Sequence, residues 1–133
     1  MTSITGIYET VLYGEDLEAL ENFYAGVLGL RRVSGESHRS RALRVGPSQM
    51  LLLFRASETL KPHPLVPSHG STGPGHLALS VEPGKLEAWR EKLVAAGFPI
   101  EREVDWPTGA RSIYVRDPAG NSTELVEGQI WPK

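Results

Sequence analysis

The chain contains no cysteine, which excludes disulfides, thiol catalysis and thiolate metal ligation together. An excess of charge of one sign is also missing. Fourteen Lys and Arg stand against sixteen Asp and Glu, a formal net charge of −2. No basic surface is therefore expected to draw in nucleic acid or an anionic membrane. No apolar run approaches the roughly 20 residues that a membrane helix needs. The opening "MTSITGIYET" has no basic region leading into an apolar one, so no signal peptide is expected and the cytoplasm is the expected compartment. What is present is an ordinary globular composition: 133 residues, 40% hydrophobic and 23% charged. That makes a single domain, 1–133, long enough to bury a core.

Hydrophobic periodicity divides this domain in two. In "GEDLEALENFYAGVLGL", Leu17, Leu20, Phe23, Tyr24, Val27 and Leu28 recur at three- and four-residue spacing. This predicts a helix over 16–29, capped by Asp16 and stopped by Gly29. The β-branched and aromatic "ITGIYETVLYG" before it reads as a strand. After it come three short extended segments, punctuated near Gly35 and at Gly46-Pro47. The second half repeats the plan. A strand in "GHLALSVEP" precedes a helix over 84–96 built on Leu86, Trp89 and Leu93 and stopped by Gly97, and three extended segments follow. The α+β reading is two βαβββ modules, at about 4–56 and 75–128. The linker 57–74 is dense in Pro and Gly, so it is expected to hold no regular structure and to serve as a functional loop or lid.

Alternation along the strands selects the chemistry. On "GHLALSV", His76, Ala78 and Ser80 share one small, polar face, while Leu77, Leu79 and Val81 share the apolar one. In "YVRDPAGNSTELVE" a Pro-Gly turn leads into a strand whose Glu124 sides with Ser122, away from Leu125. Superposing the modules sets Glu9 opposite His76. Glu9, His76 and Glu124 are thus three metal-capable side chains that could converge in one cavity.

The segments "EDLEALENFYAGVLGL", "GHLALSV" and "YVRDPAGNSTEL" resemble the vicinal oxygen chelate superfamily, which holds glyoxalases, bleomycin-resistance proteins and extradiol dioxygenases. The resemblance implies modules related by an internal pseudo-twofold, forming a curved, incompletely closed β-barrel with helices outside. It also implies a divalent metal ion inside (Mn, Fe, Ni or Zn) and a homodimer. By position, His76 and Glu124 match the second-module ligands, and Glu9 stands where the family most often has His or Gln. The fourth position falls near Leu52, where no ligand stands. Three ligands leave room for water or substrate, and Glu124 or Glu9 is a candidate catalytic base.

Two functions remain open at this stage. One is a metal-dependent lyase, isomerase or dioxygenase acting on a small oxygen-chelating substrate. The other is a metal-free binding protein of the bleomycin-resistance kind, in which Trp106 and Tyr13 stack on a flat or cationic ligand and Glu9 supplies a counter-charge. Secondary candidates have a plain reading and a sharper one. His63 and His69 are solvated linker residues, or close over a pocket, and His38 is a solvated hairpin residue. Arg39, Arg41, Arg44, Arg111 and Arg116 are exposed strand charges, or one clamps a substrate anion. Trp106 packs, or lines a pocket or dimer contact. Tyr114 is a core residue, or an acid.

Overall fold

A computed structural model describes residues 2–33 and 37–133. The expected punctuation near Gly35 lies outside the described residues. The chain divides into two compact units, residues 1–72 and 73–133, and each realises the βαβββ plan.

In the first unit, β1 (Glu9–Tyr13) leads to α1 (Leu17–Glu21), then β2 (Arg31–Arg32), β3 (Ser40–Val45) and β4 (Gln49–Phe54). The sheet order is β1-β4-β3-β2, with β1 parallel to β4 and the other pairs antiparallel. Leu12, Leu43, Leu51 and Leu53 point to the helix side and are buried with Leu17, Leu20, Phe23 and Tyr24. Burying each such side chain is worth about 2 kcal/mol. Asp16 caps α1 as expected, its carboxylate accepting from the Ala19 amide at 3.0 Å. Gly29 leaves the helix at φ 80°, the left-handed value that favours glycine.

The predicted 16–29 helix is not one regular α-helix. After Glu21 it widens into a π-helical segment, Asn22–Val27, and the Leu28 amide reaches back five residues to the Phe23 carbonyl at 3.0 Å. The wider turn sets successive side chains closer in direction. Phe23 and Tyr24 both enter the core, packed edge to face at 4.8 Å.

The linker also departs from expectation, because it begins with a turn of helix, α2 (Ala56–Thr59). Farther along, the His69 amide donates to the Thr59 carbonyl at 3.0 Å. A Cβ on Gly70 would meet Leu60 Cγ at 2.7 Å, so glycine lets the returning chain pass against Leu60.

The second unit contains β5 (His76–Ser80), α3 (Leu86–Ala95), β6 (Arg102–Asp105), β7 (Arg111–Arg116) and β8 (Ser122–Glu127). Its order, β5-β8-β7-β6, repeats that of the first unit, with β5 parallel to β8. Leu86 and Leu93 of α3 are buried, as are Ile113, Val115 and Leu125 on the strands. No helix among the described residues is long and apolar enough to cross a membrane.

Candidate functional site

The "DPAGN" turn sets the register of the second unit. The Asp117 carboxylate accepts from the amides of Ala119 and Asn121, both at 2.9 Å. Gly120 sits at φ 85°. The Asn121 side-chain oxygen accepts from the Gly75 amide at 2.7 Å, and the Ser122 amide donates to the Gly75 carbonyl at 2.9 Å. Asp117 and Asn121 are both buried. The turn therefore pins the start of β5 as well as β8, and His76 follows directly.

In this register His76 pairs with Ser122, Ala78 with Glu124, and Glu124 with Tyr114. Residues paired across strands share a face. His76, Glu124, Tyr114 and Ser112 consequently stand on the sheet face opposite the Leu125 side. Glu124 is buried, its side chain 6% exposed, while that of His76 is 53% exposed. The two meet at 3.3 Å, His76 Nε2 to Glu124 Oε1.

The His76 tautomer follows from its other nitrogen. Nδ1 lies 3.0 Å from the Ser122 carbonyl oxygen, which can only accept, so Nδ1 carries a proton. In a neutral ring Nε2 is then unprotonated, 3.3 Å from a carboxylate oxygen. A second imidazole proton, a proton on the carboxyl group or a metal ion held by both atoms would each make that approach favourable. Metal-ligating histidines characteristically donate their other N–H to a backbone carbonyl. Two ligands each about 2.1 Å from one ion, set 90–109° apart, are about 3.0–3.4 Å from each other. The 3.3 Å separation matches, so the pair fits a divalent ion. Within this unit, no third His, Asp or Glu among the described residues joins them.

The carboxylate has further partners that the sequence reading did not identify. Ser112 Oγ donates to Glu124 Oε2 at 2.5 Å, and Trp106 Nε1–H donates to Ser112 Oγ at 2.9 Å. Tyr114 stands beside Glu124 across the strand pair, and its ring stacks on His76 with centroids 6.3 Å apart. Burial first, then the neighbouring Glu124 charge, push the Tyr114 hydroxyl above its ordinary value of 10.0. A readable signal for Tyr114 existed, because counting five residues outward each way from Ala119 reaches Tyr114 and Glu124. Trp106 held no such signal, since its indole contact depends on the β6–β7 turn.

In the first unit Glu9 is exposed at the start of β1, on the face shared with Val11 and Tyr13. Val11 pairs with Leu52 as Ala78 pairs with Glu124. Leu52 thus holds the place in this module that Glu124 holds in the other. His69 lies on Tyr13, whose hydroxyl meets His69 Nδ1 at 2.6 Å, and packs edge-on to Phe54 at 4.9 Å. Burial raises the Tyr13 hydroxyl above its ordinary value.

The arginines mostly follow the plain reading. Arg111 pairs with Asp105 and Arg116 with Glu101, and Arg39 lies over the Phe54 ring. Arg41 differs from the expected exposed charge or substrate clamp. It is buried on the helix side, Nε to Glu21 Oε2 at 2.8 Å. His38 contacts Glu58 at 3.0 Å, and His63 accepts from the Leu65 amide in its own loop.

Paired βαβββ modules, the second carrying a His–Glu pair on adjacent parallel strands, define the class of fold. The comparisons specify it further: residues 6–125 match the model for the Glyoxalase/Bleomycin resistance protein/Dioxygenase superfamily, and the chain belongs to that superfamily. It is similar to a lactoylglutathione lyase from Agrobacterium tumefaciens, with 36% identity, TM-score 0.91, and 99% of this chain and 100% of that one covered. A virulence protein from Salmonella typhimurium shares 26% identity at TM-score 0.73, covering 96% of this chain and 100% of that one. A superfamily member from Sphaerobacter thermophilus, 21% identical, covers 94% and 98% at TM-score 0.70 and shares the fold.

Proposed function

We propose that this protein is a divalent-metal-dependent enzyme acting on a small substrate that presents two neighbouring oxygens, with His76 and Glu124 holding the ion. The observation that carries the reading is the His76 ring, its Nδ1–H committed to the Ser122 carbonyl and its Nε2 within 3.3 Å of Glu124 Oε1. When bound, the ion supplies Lewis acidity that stabilises charge developing on a substrate oxygen. Likeness to a lactoylglutathione lyase supports lyase chemistry over isomerase or dioxygenase chemistry. Glu9 belongs to the proposal as a third ligand on the strength of its matching position alone. Glu124 is buried and anchored by Ser112, which fits a fixed ligand. Glu9, exposed, suits the mobile base better.

Calorimetry with Mn²⁺, Ni²⁺ and Zn²⁺ on protein purified without a metal-affinity tag tests this. The expected outcome is binding tighter than millimolar, weakened at least tenfold by His76→Ala and by Glu124→Gln with the fold intact. Glu9→Gln keeps an oxygen donor, so it should cost less than Glu9→Ala. No binding in the parent protein would sink the reading. The metal-free binding alternative, favoured by Leu52 at the fourth position and by the donors that already satisfy Glu124, would then lead.

A further inference from the structure

The side chains behind Glu124 form a directed chain that begins in the β6–β7 turn. The Trp106 backbone is fixed there, its amide donating to the Ala110 carbonyl at 2.8 Å and its carbonyl accepting from the Gly109 amide at 2.9 Å. Gly109, at φ 89°, supplies the conformation that closes the turn. An indole N–H can only donate, so Ser112 Oγ must accept from it. Ser112 has one proton, and its accepting role leaves that proton for Glu124 Oε2 at 2.5 Å. Ser112 is 1% exposed and Glu124 4%, so solvent does not compete for the bond between them.

We infer that Trp106 and Ser112 are positioning residues. Together they hold Glu124 Oε2 from behind, so that Oε1 alone faces His76 and the carboxylate engages a cation through one oxygen. This rests on the metal-binding reading of His76 and Glu124. Short hydrogen bonds to a charged acceptor are the strong ones, and partners of this kind orient a metal ligand. A turn residue outside the site therefore controls the presentation of a ligand inside it. In this role Trp106 acts through its N–H.

The test uses Ser112→Ala, Ser112→Thr and Trp106→Phe, with two readouts. Zn²⁺ affinity by calorimetry should fall about 10- to 100-fold in Ser112→Ala, fall less in Trp106→Phe, and recover in Ser112→Thr, which keeps the hydroxyl. The second readout is the indole N–H proton resonance of Trp106, assigned among the three tryptophans by its loss in Trp106→Phe. In metal-free protein, Glu124→Gln should shift that resonance, because Ser112 transmits the change. In Ser112→Ala the resonance should move to the position of a free indole. An indole indifferent to Glu124→Gln overturns the inference, as does unchanged affinity in Ser112→Ala. If the parent protein binds no metal, the indole shift still decides the chain of contacts, and only the metal reading fails.

Discussion

Tyr114 is the residue whose ionisation best reports the site. Two effects push it upward: burial first, then the charge of Glu124. The sign follows from the neutral form being favoured in the folded state. The contribution to stability is fully present below the unfolded value near 10 and is lost as pH rises through the higher folded value. In metal-free protein, Glu124→Gln removes the charge and should bring the Tyr114 ring titration down toward 10, though not fully, because burial remains. Ring proton shifts followed from pH 8 to 12 check this. An unchanged titration would show that Glu124 does not face the phenol.

At the level of elements, α3 depends on a residue far from it in sequence. Lys85 precedes the helix without a side-chain cap. Glu127, at the end of β8, accepts from the Gly84 amide at 3.0 Å and the Leu86 amide at 3.3 Å. A carboxylate at this end satisfies orphan amides and opposes the helix dipole. Glu127→Ala should cost about 1 kcal/mol, lowering Tm by roughly 3–5 °C, with metal affinity unaltered. A loss of less than one degree by calorimetric scan would mean the cap is dispensable. The first helix shows the converse, because Asp16 and Gly29 marked its ends in the sequence while the π-helical widening after Glu21 was invisible there. Residue spacing cannot separate 3.6 from slightly more residues per turn when Phe23 and Tyr24 are both apolar and both buried.

For the whole molecule the expected state is a homodimer. Each sheet ends in open edge strands, and Ile4, Ile7, Tyr8, Leu65 and Trp131 are at least 66% exposed. Exposed apolar side chains and open edges are surfaces that association covers. Sedimentation velocity at about 10 µM should show one species of twice the chain mass, and a monomer at that concentration would refute the expectation.

Periodicity and turn chemistry, both local properties of the chain, determined the two βαβββ modules, the limits of the first helix, the stop of the second and the faces of His76 and Glu124. A strand's alternation assigns each side chain to one of two faces, and the "DPAGN" turn sets the register that makes that assignment definite. Sequence alone could also place Tyr114 beside Glu124 by counting outward from the turn. Only tertiary structure decided what those faces meet. It put Arg41 against Glu21, Glu127 on the start of α3, and Ser112 and Trp106 behind Glu124. A hydrogen bond depends on distances of a few tenths of an ångström between residues whose separation in space no sequence period encodes.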